Sequence, residues 1–308
     1  MAQEVLPQLL EQRVIRYQPP LKREDLEALI EKHKPGWGKR ADERRAEFVE
    51  AQKFAENSSI WSEVKPVYMA LQYNKCIYCE RVLGAELTGK SEHDVEHFRP
   101  KGRVLKWPYP SRKPRVSYDY DTGPGSATGY YWLAYDIENF ACSCKGCNSD
   151  RKRDYFPILR TRGGATMTIT ELNSSESPLL LFPFGANGDD PDAFITFTGV
   201  LAQVHPTARK DDRNRAQVTI DFFSLNDREE LLADRARVIR EIFKTIRLSQ
   251  DPDPAMRASA ERDIKIMTSD ASPQAACARA YLALAKAEPQ KAWEIYVDID
   301  RYLTPRAR

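Results

Sequence analysis

The chain has 308 residues, 42% of them hydrophobic and 30% charged, with a net charge of +2. That composition fits a globular protein with a core of ordinary size, in one large domain or two ordinary ones. It excludes a strongly basic nucleic-acid coat, so any anion binding must rest on local charge rather than on the total.

The N-terminus, MAQEVLPQLLEQRVIRY, lacks the basic-then-apolar layout of a signal peptide. No apolar run is long enough for a membrane span. Six cysteines in such a chain point to reduced thiols or metal ligands, and a cytoplasmic location is expected. Leu26, Leu29 and Ile30 predict a helix within residues 21–33, and KPGWGKR separates it from a second over residues 41–55. A third helical pattern runs from Trp61 to Leu71, so residues 1–70 read as a helical region. Residues 71–160 form the next segment and include a long loop, 102–129, rich in Pro, Gly, Ser and Tyr. YYWLAYDIEN, after that loop, reads as helical.

Residues 161–225 read as a mixed, β-rich extension, because ATMTITEL, PLLLFPF and AFITFTGVLAQV favour strands with turn residues between them. Residues 226–308 read as helical. Leu231, Leu232, Val238, Ile239, Ile242, Phe243 and Ile246 mark one apolar stripe that needs a face to bury against.

CIYC at 76–79 and CKGC at 144–147 are two C-x-x-C knuckles. Each spacing lets both thiolates face one ion, and two such turns complete a tetrahedral structural zinc site of Cys76, Cys79, Cys144 and Cys147. A redox pair or buried thiols are the bland alternatives. A strand pair that returns the intervening chain would bring the knuckles together. Cys142 has poorer spacing and is expected to lie buried beside the site. Cys277, alone in a helix, is expected to pack.

Between the knuckles lies EHDVEHFRPK, residues 92–101. A lone Glu-His pair is usually a solvent-facing strand, but its place between the knuckles suits phosphodiester hydrolysis. That reaction needs an activated water and charge stabilisation at phosphorus. His97 can take a proton from water at neutral pH. Glu96 offers a hard oxygen to Mg²⁺ or Mn²⁺, and Asn148 a neutral carbonyl oxygen. On a straight strand Glu96 and His97 would face opposite ways, so a bend is expected. Asp94, on the strand face of Glu96, is the reserve ligand, and His93 the reserve imidazole. The helix expected to begin at Asn148 would favour a phosphate at its N-terminus, with Lys152 one turn on as a cationic substrate contact.

From His97 to Tyr118 there are seven Lys or Arg residues and no acid: Arg99, Lys101, Arg103, Lys106, Arg112, Lys113 and Arg115. Trp107, Tyr109 and Tyr118 are interleaved. A solvated loop is the bland alternative. The favoured reading has Arg99 and Lys101 holding nucleic-acid phosphates while aromatic faces stack on bases. His33 and His205 stand in no such cluster.

VEHFRP after the first knuckle and ENFACSCKGCNSDRK across the second resemble the HNH nucleases with a ββα-metal fold. The resemblance is strongest from Cys76 to Pro157. It implies an α+β fold, a ββα-metal HNH core with a structural zinc site flanked by helical N- and C-terminal regions. It also implies a division of labour: Glu96 as metal ligand, His97 as general base, Asn139 orienting the catalytic loop and Asn148 as second ligand. Many family members carry Asp or His where Glu96 stands. YYWLAYDIENF, KRDYFPI, SPLLLFPFGANGDDPDAF and TIDFFSLNDREELLADR resemble, more weakly, a bacterial HNH subfamily that includes nuclease partners in Septu-type and retron-linked anti-phage systems. That resemblance implies an endonuclease beside an ABC-type or related ATPase; DNA is favoured over RNA as substrate, though no residue here chooses between them. The chain itself carries no G-x-x-x-x-G-K-[ST] phosphate-binding loop.

Overall fold

The computed structural model describes residues 22–84, 93–109, 116–185 and 188–304. Two compact units divide the chain. The first comprises the residues up to Tyr78 and Val82–Asp190, and the second Cys79–Arg81 and the chain from Pro191 onward.

The first unit begins with helices α1 (Arg23–His33) and α2 (Trp37–Ala51), which bury Leu26, Ile30, Trp37, Ala41 and Phe48. The Trp37 indole donates to the Ile60 carbonyl at 2.9 Å, so a large apolar ring is buried without stranding its N–H. A short 3₁₀ turn, Trp61–Val64, runs directly into α3 (Lys65–Leu71), whose Tyr68 hydroxyl donates to the Ile137 carbonyl at 2.7 Å.

Strands β1 (His93–His97) and β2 (Phe140–Cys144) then pair antiparallel, with His93 opposite Cys144 and His97 opposite Phe140. This is the expected strand pair. The long loop between the strands is fixed to the unit by isolated bridges, Val104 to Ser126 and Leu105 to Tyr155. Gly129 (φ +58) is needed there: a Cβ would meet the Pro100 carbonyl oxygen at 2.6 Å and the Arg103 nitrogen at 2.7 Å.

YYWLAYDIEN is not a helix. It forms two 3₁₀ turns, Tyr131–Leu133 and Ile137–Asn139, joined through Asp136, whose carboxylate accepts from the Glu138 backbone N–H. Tyr130, Tyr131, Trp132, Leu133, Ala134 and Tyr135 are all buried, so no polar face remains for an amphipathic helix.

ATMTITEL is not a strand either. Helix α4 (Ile169–Glu176) starts at a capping box, with Thr168 accepting from the Glu171 backbone and Glu171 from the Thr168 backbone. PLLLFPF is buried but irregular. Its prolines lack the N–H that a central strand must donate.

In the second unit AFITFTGVLAQV forms the expected hairpin, β3 (Ile195–Thr198) with β4 (Leu201–Val204). Helix α5 (Lys210–Phe222) follows, so the helical region begins well before the expected Asn226. It continues with α6 (Glu229–Leu248), α7 (Pro254–Met267), α8 (Ala275–Ala287) and α9 (Pro289–Leu303). The stripe on α6 buries Ile239 and Ile242 against Cys277, Ala278, Tyr281, Ala292 and Ile299, with Val238, Phe243 and Ile246 at the margin. That face therefore packs within its own unit. Cys277 is buried in this core as expected, and burial pushes its thiol up to about 12. No helix among the described residues is long and apolar enough to cross a membrane.

Candidate active site and thiolate metal centre

The two knuckles meet. The Sγ atoms of Cys76, Cys79, Cys144 and Cys147 all lie within 4.8 Å of one another. Tetrahedral zinc with Zn–S bonds of about 2.3 Å sets its sulfurs about 3.8 Å apart, so this donor set suits such an ion. The β1–β2 register brings the second knuckle alongside the first: Ile77 N–H donates to the Cys142 carbonyl at 3.1 Å, and Cys144 N–H to Cys76 Sγ at 3.4 Å. Cys142 is buried beside the group and outside it, as expected, and burial pushes its thiol up to about 12.

At the far end of β1 a cleft of about 350 Å³ is lined by Phe54, Val95, Glu96, His97, Pro100, Lys101, Gly102, Asn148, Arg153 and Asp154. Glu96 and His97 border the same cleft although they are neighbours on a strand; β1 ends at His97.

The His97 ring is buried, 5.0 Å from the Trp61 ring and 4.9 Å from that of Phe140. Its Nε2 lies 3.0 Å from the Ala134 carbonyl oxygen. A carbonyl only accepts, so Nε2 carries the proton and Nδ1 the lone pair. Burial holds the ring well below the usual histidine range, reinforced by the nearby Lys101 and Lys152 charges. Burial thus favours the neutral ring, and the Ala134 carbonyl sets its tautomer.

Glu96 is also buried. Burial raises its carboxyl above the usual range, against the opposing pull of Lys152, whose Nζ lies 3.3 Å from Oε1. Lys152 is fully buried and held below the usual lysine range by that burial. Expected as a substrate contact, it instead pairs with Glu96 and also donates to the His97 carbonyl at 3.3 Å.

Arg99 departs from expectation in the same way. It is buried, with Nε 3.0 Å from Glu176 and an Nη2 donating to Asn173 at 2.8 Å. Neither cation reaches solvent.

Asn139 clasps the turn after β1. It accepts from the Arg99 backbone N–H at 2.8 Å and donates to the carbonyls of Arg99 at 3.0 Å and Leu133 at 3.2 Å. All its polar contacts go to backbone, so it shapes the turn and does not line the cleft.

Asn148 borders the cleft, but the element it starts is a single π-type turn, Asn148–Lys152, and not a full helix. A turn this short has little aligned dipole, so the expected helix N-terminus for a phosphate is missing. Asp94 does not line the cleft.

Lys101 does line it, its Nζ 4.5 Å from the Trp61 ring centroid and 5.2 Å from that of Phe54. The exposed Arg153 faces the same space. Of the basic loop, Arg103 pairs with Asp154 at 2.7 Å and Lys106 with Asp121 at 3.8 Å. Trp107 is buried against Tyr155, whereas Tyr109 is exposed. Arg112, Lys113 and Arg115 lie outside the described residues.

Three cleft-side groups escaped the sequence reading: Phe54, Asp154, and Tyr78, whose hydroxyl donates to Glu96 at 3.5 Å. Tyr78 sits inside CIYC and Asp154 two residues past Lys152, positions that a search for proximity to the knuckles would have reached.

No family model and no solved structure matches the chain. Over 208 residues it is 28% identical to the Septu protein PtuB of Bacillus mycoides (strain KBAB4), a span of 65% of this chain and 58% of that relative. The chain is therefore similar, across little more than half of the relative's length, to a Septu protein.

Proposed function

We propose that this chain is a metal-dependent endonuclease of the HNH type that hydrolyses phosphodiester bonds, with DNA favoured over RNA as substrate. The observation that carries the reading is the meeting of Glu96, His97 and Asn148 at one cleft, beside a four-thiolate group.

The residues present fit two metals. Four thiolates would saturate a zinc ion and leave no open position, which suits a structural role. Glu96 and Asn148 would hold a Mg²⁺ or Mn²⁺ ion through oxygen, the donor such ions prefer. Bound there, that ion supplies charge neutralisation at the phosphodiester.

The protein's own groups do the rest. His97 takes the proton of the attacking water at Nδ1, while its Nε2–H stays on the Ala134 carbonyl. Asn139 holds the turn that follows His97. Lys101 and Arg153 provide cationic walls for a phosphate. Similarity to a Septu protein supports a role in bacterial anti-phage defence, and the HNH-subfamily resemblance implies an ABC-type ATPase as partner.

One observation favours a second reading, nucleic-acid binding without cleavage: Glu96 already has a cationic partner in Lys152. A cleavage assay separates the two. Purified chain should be incubated with duplex DNA, single-stranded DNA and RNA in Mg²⁺ or Mn²⁺, with and without the co-expressed product of the neighbouring gene. Cutting by the wild type but not by His97→Ala supports the nuclease. Binding without cutting in every combination supports the second reading.

A further inference from the structure

The contacts around Glu96 divide its two oxygens unequally. Lys152 Nζ lies 3.3 Å from Oε1, and the Tyr78 hydroxyl donates to the same oxygen at 3.5 Å. Among the described residues, no hydrogen bond falls on Oε2. The Lys152 ammonium is itself fixed, since it also donates to the His97 carbonyl at 3.3 Å and has no exposed surface. Its backbone N–H closes the π turn on the Cys147 carbonyl at 2.7 Å. Tyr78 lies inside the first knuckle and Lys152 five residues beyond the second, so the thiolate centre supports both donors.

We propose that Lys152 and Tyr78 are positioning residues that pin Glu96 by Oε1, leaving Oε2 as a single-oxygen ligand for the divalent cation. In this way they set the preference of the cleft for a small octahedral cation over Ca²⁺. The inference rests on the cation site proposed above.

The physical basis is the difference between the ions. Mg²⁺ and ions like it demand a near-octahedral shell, which one oxygen of a carboxylate can join. Ca²⁺ takes more oxygens and readily accepts both from one carboxylate. A Glu96 held by Oε1 cannot offer both. The ammonium also repels any divalent ion, but that repulsion weakens both ions together and leaves their ratio unchanged. The ratio of affinities therefore reports the pinning.

The test is Mn²⁺ binding to the whole 308-residue, zinc-loaded chain, followed by electron paramagnetic resonance with Ca²⁺ as competitor. Wild type should prefer Mn²⁺, and Glu96→Gln should abolish that binding. Lys152→Met should narrow the Mn²⁺-to-Ca²⁺ affinity ratio about tenfold, within the range for losing a partner of a metal ligand. Tyr78→Phe keeps the ring and should narrow the ratio less, about threefold. Where Lys152→Met loses zinc or fails to fold, the ratio in Tyr78→Phe decides.

An unchanged ratio in folded Lys152→Met, or in Tyr78→Phe where the lysine variant does not fold, overturns the inference and leaves the cation site standing. Mn²⁺ binding that is absent from wild type, or indifferent to Glu96→Gln, removes the cation site itself. The inference and the metal-dependent reading would then fall together.

Discussion

The thiolate centre and the cleft adjoin on one short hairpin, since Asn148, which lines the cleft, directly follows the thiolate Cys147. Cys144 stands opposite His93 at one end and His97 opposite Phe140 at the other. The four steps from His93 to His97, at about 3.3 Å each, make the strand about 13 Å long. At the thiolate end, four like ligands come from two turns whose spacing is written in the chain. At the cleft, unlike groups are each held by a different element: Glu96 by Lys152 and Tyr78, His97 by Ala134, and the turn after them by Asn139. Spacing along the chain can specify the first kind of site. The second kind depends on burial and on which backbone carbonyls the fold happens to present.

The comparison is broken most severely at the thiolates. Cys147→Ser should lose zinc and the native fold, because structural zinc in small domains contributes about 10–16 kcal/mol of apparent binding free energy to folding. Metal content and thermal melting would show this, and a zinc-free variant melting like the wild type would contradict a structural role.

Next comes the buried pair behind the cleft. Glu176→Ala strands the Arg99 guanidinium, a loss of about 3–5 kcal/mol by chemical denaturation. A change under about 1 kcal/mol would mean that solvent reaches Arg99.

His97→Ala should keep zinc and the fold, lose some stability because a buried ring and its bond to the Ala134 carbonyl go, and slow cleavage about 10²–10⁴-fold. Cleavage at the wild-type rate would move the base elsewhere.

A smaller effect belongs to the cleft walls. Neutralising Lys101 and Arg153 together should flatten the salt dependence of duplex binding by about 1.8 log–log units, at about 0.9 per phosphate contact. An unchanged slope would place the strand on another face.

How legible was this in the sequence? The knuckles and the strand pair between them could be read from local spacing, whereas the set Glu96, His97, Asn139 and Asn148 is drawn together by the HNH resemblance. The 3.6-residue period likewise located the helices that bury Leu26, Phe48 and Ile239. Misreadings came where the local signal was ambiguous or overridden. ATMTITEL is rich in β-branched residues, yet Thr168 and Glu171 carry a capping box that decides for helix. YYWLAYDIEN has helical spacing, but burial of all but Glu138 removes the solvent face that such a helix would need. Arg99 and Lys152 look like substrate contacts because a cation is assumed to be exposed. Glu176 and Glu96, distant in sequence, draw them inward. The one-turn element at Asn148 follows from ladder bonds of i to i−5, which no residue type announces.

The decisive experiment separates the two metals. Zinc-loaded chain should be treated with a mild chelator that strips weakly bound divalent ions. Zinc content and DNA cleavage should then be measured before and after Mg²⁺ is returned. The predicted result is full retention of zinc, loss of cleavage on chelation, and its recovery with Mg²⁺ in the wild type but not in His97→Ala. Cleavage that survives chelation, or that falls and returns only with zinc, would contradict the assignment of structure to the thiolates and chemistry to the cleft.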